Sequence, residues 1–550
     1  MPPATLGADE AVFDFRSDSP RIARAHGAAW RDTFVDWLGG LNRANASLSW
    51  WAYTSTAKNL LSSPLGNACL GMLALEEFLA GTAAARVYVV GAAPAHIAAM
   101  RERVHPAHWQ VTAAGARLPA LEPLVRLGWQ FARMLALWFA GKIRAPRGEA
   151  PQAMIFTYVD GAFRQGPDAF FGDLAQRLPV RARYVAFVHS AYRAALPKLA
   201  ATGYEPLFGS LRLADLLWSF KASACAWWRA ARRDGGTLGG KPAGALLAHA
   251  LRWDLGRGGY FYNLLVHRAA LRLLARWQPQ LLLYPFEGKS LEKMLLLAAR
   301  AASPGTRIIG YQHTSITPRH ATLFLAQGEA EATPLPERVV TVGEVTRRYL
   351  ETHGRYPSGF FVTGCALRQR RGAPLERRSA EGKSRLLLAL SSSRRELVEA
   401  VALCRGAVEA SGVELAIRPH PEFPLALLPD ELRAWAQASA RDLFDTSLAD
   451  NLEWCDAVAY ASSTVALEAL GRGRPVINLR LADPIDPDPV LDQLDFRWEA
   501  GTPAMLSGAV SDILALGSAE FERRRHEALA YVDDYLKPPT PEAVGAFLPA

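Results

Sequence analysis

YASSTVALEALGRGRPVI, Tyr460–Ile477, is the stretch that decides the fold. It opens on a short apolar strand, Asp456–Tyr460, passes through a turn of small hydroxyl residues at Ala461–Thr464, and enters a helix at Val465–Leu470. A Gly-x-Gly-x-Pro break at Gly471–Pro475 then returns the chain to a second strand. A strand, a hydroxyl-rich turn, a helix and a further strand form the repeating unit of a parallel α/β sheet. Hydroxyls and free N–H groups at the start of a helix suit a phosphate, so Ser462, Ser463 and Thr464 are candidate anion ligands. Upstream, RPHPEF at Arg418–Phe423 follows the strand Val413–Ile417, which puts Arg418 and His420 at the carboxyl edge of the same sheet. Open α/β sheets bind their ligands along that edge.

Working outward, strand and helix patterns alternate from Pro151 onward. Expected strands are Ala153–Tyr158, Arg183–Val188, Gln280–Tyr284, Arg307–Gln312, Arg338–Val342 and Gly359–Val362. Helices are expected at Phe170–Arg177, Leu211–Arg232, Tyr262–Arg276 and Leu291–Ala301. The polar stretch Ala373–Ser384 reads as a linker, after which Arg385–Leu390 begins a second alternating region ending in a long charged helix, Ser518–Tyr535. The expected organisation is therefore a helix-rich aromatic region over 1–150, a first Rossmann-like domain over 151–372, a linker over 373–384 and a second Rossmann-like domain over 385–550. A chain of 550 residues exceeds what one core accommodates. GGTLGGK at Gly235–Lys241 lacks the spacing of a phosphate loop and reads as a flexible loop.

The 62 basic and 53 acidic residues leave a diffuse net charge of +9, clustered locally at Arg229–Arg233, Arg368–Arg371 and Arg377–Arg378. No basic patch is interleaved with aromatics as single-stranded nucleic acid requires, which argues against a nucleic-acid partner. The five cysteines are far apart and lack metal-ligand spacing, so they read as buried small hydrophobes of a reducing compartment. No signal pattern opens the chain, and no apolar run is long enough to span a bilayer. A cytoplasmic location follows as an expectation. The stretch Ala132–Lys142, with Trp138 and Phe139 beside Arg133, has the character of a helix that packs on a core or lies on a membrane.

Candidate chemistry gathers at strand ends. In the second region, Ser391, Ser392 and Ser393 directly follow a strand and precede Arg394 and Arg395, a pattern that serves either phosphate binding or helix capping. His420 is held between two prolines and is a candidate contact to a donor phosphate. Glu468, on the helix after Ser463, is a candidate grip on ribose hydroxyls or an ordinary helix carboxylate. In the first region QLLLYPFEGKSLEK, Gln280–Lys293, ends a strand at Glu287, a candidate general base. Glu292 lies five residues on, where a helix dipole favours a carboxylate in any case. His313 follows the next strand as base, orienting partner or phosphate contact. Asp160 follows Ala153–Tyr158 as another candidate base, and His189 follows Arg183–Val188. No metal site is read from these residues.

The RPHP and SST elements resemble the HP and serine motifs of bacterial sialyltransferases and Kdo transferases. The resemblance implies a GT-B-like fold, with two Rossmann-type doubly wound domains facing across a cleft. It also implies a nucleotide-sugar donor, CMP- or UDP-linked, with no resident cofactor, and contacts from His420, Ser462 and Ser463 to the donor nucleotide. Trp50–Trp51 with Lys58–Asn59, DAFFGDL at Asp168–Leu174, Glu287–Glu292 and GYQH at Gly310–His313 look like features of bacterial surface-carbohydrate (capsule, O-antigen or lipopolysaccharide) biosynthesis proteins. The acid-acid-glycine triplet of the sialyltransferases is missing. Phe286–Glu287–Gly288 and Asp160–Gly161 each keep one carboxylate, so the choice of base stays open. The implied activity is metal-independent, inverting glycosyl transfer to a glycan or lipid-linked glycan, with a peripheral inner-membrane location as a variant. A UDP-sugar 2-epimerase of the same fold and a non-catalytic glycan-assembly protein are the alternatives.

Overall fold

The computed structural model describes residues 7, 9–60, 63–104, 122–140, 149–159, 167–188, 195, 199, 201–230, 232–368, 372–378 and 383–549. Two parallel sheets organise them, and the α/β class with two Rossmann-type domains stands as read. The first has seven strands: β3 (Ala153–Val159), β4 (Ala182–Val188), β5 (Glu205–Pro206), β8 (Leu281–Pro285), β9 (Arg307–Gln312), β10 (Arg338–Thr341) and β11 (Phe361–Thr363). Their spatial order is β11-β10-β9-β8-β3-β4-β5, and every pairing is parallel. The chain starts in the middle at β3, builds outward to β5, then returns to build the other half from β8. The direction reverses between β3 and β8.

The second sheet repeats this plan with β12 (Arg385–Ala389), β13 (Glu414–Arg418), β14 (Ala440–Asp442), β15 (Ala457–Tyr460), β16 (Val476–Leu479) and β17 (Arg497–Ala500). Its order, β14-β13-β12-β15-β16-β17, reverses between β12 and β15. All of its pairings are parallel. Central strands such as LLLYP in β8 and AVAY in β15 are buried along their whole length. Helices on both faces demand this, and it is why these strands read in the sequence as unbroken apolar runs.

The N-terminal region adds helices and a small parallel pair, β1 (Glu10–Asp14) with β2 (Arg86–Val90), outside both sheets. Its aromatic residues enter the core of the first sheet: Trp50, Trp51 and Phe34 are all buried. Gly235–Lys241 is more ordered than a flexible loop. It forms an antiparallel hairpin of β6 (Thr237–Leu238) and β7 (Lys241–Pro242), held by Arg103 donating to the carbonyls of Leu238, Lys241 and Pro242. Arg103 supplies from a distant helix the stabilisation that the glycines cannot give.

The two halves are joined at more than the linker. After the helix Ser518–Tyr535 the chain returns to the first sheet, where the Lys537 N–H donates to the Val342 carbonyl at 3.0 Å and its own carbonyl accepts from Ala366 at 2.8 Å. Phe547 is fully buried against Tyr311 of β9. A cavity of about 210 Å³ lies between the halves, lined by Arg24 and Pro318 on one side and by Asn478, Asp483 and Asp486 on the other. Of the five cysteines four are buried, but Cys225 is exposed, on the outward face of the helix Leu213–Ala230.

Candidate functional site

Both topological reversals carry a polar cluster at their carboxyl ends, where adjacent connections diverge to opposite faces and leave a crevice. In the first sheet β8 ends in Pro285, and Phe286–Gly288 turn the chain into the helix Ser290–Ala302. Gly288 has φ +72°, and a Cβ there would lie 2.2 Å from the Thr322 carbonyl oxygen, so the turn requires glycine. The turn aims Glu287 at the end of β9. There His313 Nε2 lies 2.9 Å from Glu287 Oε1, and Lys289 Nζ contacts Oε2. Phe170 packs its ring edge-to-face on His313, with centroids 4.7 Å apart. Phe170 is itself placed by Asp168, a buried carboxylate that accepts from the Phe170 and Phe171 N–H groups, the Thr157 hydroxyl and the Tyr204 hydroxyl.

A second carboxylate underlies the first. Glu292 accepts from the N–H of Glu287 at 3.1 Å and of Gly288 at 3.0 Å, and is hydrogen-bonded to the Tyr158 hydroxyl at 3.0 Å. The two carboxylates separate in acidity. Burial, reinforced by the charge of Glu287, pushes Glu292 up to about 8. For Glu287 burial works in the same direction but is overcome by the His313 hydrogen bond and the Lys289 charge, which hold it down at about 2. At neutral pH Glu287 is therefore the ionised member and Glu292 the protonated one.

This separation fixes a pH dependence. A carboxyl raised in the folded state keeps its proton while the unfolded chain loses it, so its contribution is full below the unfolded value and lost as pH climbs through the folded one. Replacing Glu292 by glutamine is expected to flatten the decline in stability between about pH 4.5 and pH 8, measured as the urea midpoint across that range. An unchanged slope in Glu292→Gln would show that Glu292 is ionised throughout. Glu287 acts in a separate window: its stabilisation is present above about pH 4.5 and is lost as pH falls towards 2.

Around this pair lies a cavity of about 660 Å³, lined by Tyr158, Phe187, Trp253, Lys289, His313 and His320 among others. All its lining residues come from the first sheet and the N-terminal region. The volume is that of a small-molecule site, and the lining combines aromatic faces with a few convergent polar groups.

In the second sheet, Ser391 follows β12 and Ser462 follows β15, the two strands flanking the reversal. Their hydroxyls meet at 2.7 Å. Both donate to Glu396 Oε2, and Glu396 Oε1 accepts from the Ser391 N–H at 3.0 Å. Glu396 is almost wholly buried on the helix Arg394–Ser411, whose N-cap is Ser393 accepting from the Glu396 N–H. A carboxylate thus already holds the hydroxyls expected to face a phosphate. The sequence signal was the S-x-x-E capping pattern at Ser393–Glu396, although Glu396 reaches back to Ser391 rather than to the cap residue.

The other residues singled out from the sequence take varied places. His420 sits in a turn bridged to Phe423, its Nδ1 accepting from the Glu422 N–H at 3.2 Å. Arg418 donates to the Thr446 carbonyl and to Asn451 Oδ1, both at 2.8 Å, and so clamps the next strand-end loop. Ser463 is buried and accepts from the Val465 N–H, while Thr464 begins the helix without a side-chain cap. That helix, Val465–Gly471, has only seven residues, which limits any dipole effect on an anion. Burial raises the Glu468 carboxyl, opposed by the charges of Arg418, Arg472 and Arg368. Ser392 is exposed at the mouth of the loop. Asp160 and His189 lie outside the described residues. The structure thus unites Glu287 with His313 and Ser462 with Ser391, and it keeps these two clusters in different crevices. Among the described residues no cluster of three or more His, Cys, Asp or Glu is arranged as a metal site.

No protein-family model matches the chain, and no curated protein matches it. Solved structures with a low overall similarity to it include the following. MurG of Acinetobacter baumannii is 12% identical with a TM-score of 0.43, covering 72% of this chain and 99% of its own. CalG4, the calicheamicin glycosyltransferase, is 14% identical with a TM-score of 0.41, covering 73% and 98%. MnaA of S. aureus, solved with UDP, is 10% identical with a TM-score of 0.38, covering 71% and 93%.

Proposed function

We propose that the chain is a glycosyltransferase that moves a sugar from a nucleotide donor to an acceptor hydroxyl held in the first-sheet cavity. The observation that carries this reading is the Glu287–His313 pair opening into that cavity at a topological reversal. A carboxylate held at about 2 is a poor proton acceptor, so Glu287 serves to orient and charge-balance. His313 takes the acceptor proton. With Nε2–H donating to Glu287, the lone pair is on Nδ1, a buried nitrogen that has no hydrogen-bond partner among the described residues. This is the division of labour of a carboxylate–histidine pair. The proton moves from the acceptor hydroxyl to Nδ1 as the hydroxyl oxygen attacks the anomeric carbon. The bond from that carbon to the donor phosphate breaks, and the nucleotide leaves with the electron pair.

The donor is assigned to the second-sheet reversal, where Ser391, Ser392, Ser462 and Arg394 border the crevice and His420 stands on the next loop. A nucleotide there displaces hydroxyl contacts now made to Glu396. The motif resemblance to CMP-sugar transferases makes CMP the first donor nucleotide to test. A surface-polysaccharide or lipid-linked glycan is the acceptor class that the same resemblance implies.

The test is thermal stabilisation by CMP, CDP, UDP, GDP and TDP, on wild type and on His420→Ala. A ligand at 100 times its Kd stabilises by about 2.7 kcal/mol, a readily visible shift. One nucleotide is expected to stabilise the wild type selectively, with the effect lost in the variant and in Ser462→Ala. Indifference to every nucleotide would remove the donor assignment. Conversion of a UDP-sugar without any acceptor would replace transfer by epimerisation.

A further inference from the structure

Two helices beside the first sheet expose large apolar side chains. In Leu213–Ala230 the exposed positions are Ala214, Leu217, Trp218, Lys221, Cys225, Trp228 and Arg229, a single stripe at helical spacing. Its buried face mixes Asp215, Ser219 and Ser223 with Leu216, Ala226 and Ala230. Trp228 is 72% exposed, more than any side chain of that size needs to be in a chain with ample core. The helix Glu122–Phe139 exposes Val125, Trp129 and Phe139, each at least 64%, with Arg126 and Arg133 between them, while Leu127, Gln130 and Met134 are buried. The two helices lie side by side, joined by Phe131 and Phe220 with ring centroids 4.6 Å apart. Each helix leaves large apolar side chains to solvent, an exposure that marks an interaction surface.

The exposed charges placed on these helices are Arg126, Arg133, Lys221 and Arg229. Their acidic residues are Glu122, the first of its helix, and Asp215, which is fully buried and paired with Arg268 and Arg272. Lys221 and Arg229 make no ion pair among the described residues. With Arg233, Trp218, Tyr53 and Tyr260 they border a cavity of about 290 Å³. Tryptophan and phenylalanine interleaved with exposed cations are the chemistry of a bilayer interface. The rings sit at headgroup level, and the cations meet lipid phosphates. Among the described residues no single helix is long and apolar enough to cross a membrane, so contact is along the surface.

We propose that the joined outer faces of Glu122–Phe139 and Leu213–Ala230 dock on an anionic phospholipid surface, with a lipid phosphate seated among Lys221, Arg229 and Arg233. The inference stands apart from the transferase reading. It also has a consequence for that reading. Tyr53 and Tyr260 border the phosphate cavity while their neighbours Thr54 and Gly259 line the cavity of Glu287 and His313, so a lipid-borne acceptor reaches the site past a single wall.

The experiment uses the full chain with vesicles of phosphatidylcholine alone or mixed with phosphatidylglycerol. Cys225 is the one exposed cysteine, so a polarity-sensitive dye on it reads the local environment directly. The expected result is co-flotation with the phosphatidylglycerol vesicles and a blue shift of the dye, with neither on phosphatidylcholine alone. Both Trp129→Ser with Trp228→Ser and Lys221→Glu with Arg229→Glu are expected to weaken flotation by about tenfold or more. All four side chains are exposed, so melting temperatures are expected to match wild type. Three outcomes overturn the proposal. One is no flotation with either vesicle, and another is equal flotation with both. The third is a wild-type dimer that the tryptophan variant dissolves, which would assign the face to a second copy of the chain.

Discussion

Replacing His313 by alanine is expected to lower the rate of glycosyl transfer by roughly 10²–10⁴-fold, the usual worth of a positioned proton acceptor. The donor for this assay is the nucleotide sugar identified by thermal stabilisation. The decisive form is a cycle with Glu287→Gln. If the carboxylate acts only through the imidazole, removing it after His313 is gone costs little more, and the double variant matches His313→Ala. Glu287→Gln keeps a hydrogen-bond acceptor 2.9 Å from Nε2 but removes the charge that favours the imidazolium. Its rate is expected to fall less than that of His313→Ala. Multiplicative losses in the double variant would mean two independent roles and would return Glu287 to the status of base. Retained activity in His313→Ala would remove the histidine from the chemistry altogether.

Replacing Glu329 by glutamine is expected to destabilise the fold by about 3–5 kcal/mol, the cost of leaving a buried charge without its partner. Lys58 is 2% exposed and Glu329 fully buried, and Nζ and Oε2 are 2.6 Å apart. Asn42 Nδ2 and the Ala326 N–H also donate to this carboxylate, at 2.7 and 2.8 Å. Burial opposes ionisation of Glu329, but the charges of Lys58 and Lys293 overcome it and hold the carboxyl below its usual range. Lys293, stacked over Trp51, is pulled down to about 7 by burial and by Lys58. Removing the carboxylate leaves the buried Lys58 ammonium without its counter-charge. The urea midpoint measures the loss. The double variant Lys58→Met with Glu329→Gln is expected to recover part of it, because the uncompensated cation goes with its counter-charge. A single variant as stable as wild type would show that the cluster is neutral in the folded chain.

The same cluster shows where sequence reading stops. The Trp50–Trp51 and Lys58–Asn59 pairs stood out in the chain, but nothing within a few residues of Lys58 identifies its partner. Glu329 is 271 positions away and meets it because the N-terminal helices pack on the first sheet. Asp160 shows a different limit: its place after β3 was legible, yet it lies outside the described residues.

Strand ends were the legible part of the site. The apolar runs that close in β8, β9, β12 and β15 placed Glu287, His313, Ser391 and Ser462 at the carboxyl edge of a parallel sheet, because parallel strands buried on both faces read as unbroken hydrophobic stretches. Short edge strands such as β14 and β17 carried no such signal, since half-exposed residues lack the pattern. What the chain by itself determined is therefore the class of fold, two alternating α/β regions, and the edges on which chemistry sits. The tertiary structure decided which edge residues meet. Strand order puts β8 beside β9 and β12 beside β15, so Glu287 meets His313, and Ser391 meets Ser462 over the buried Glu396. Periodicity records which face a residue takes within its own element, and strand order arises from packing between elements far apart in the chain.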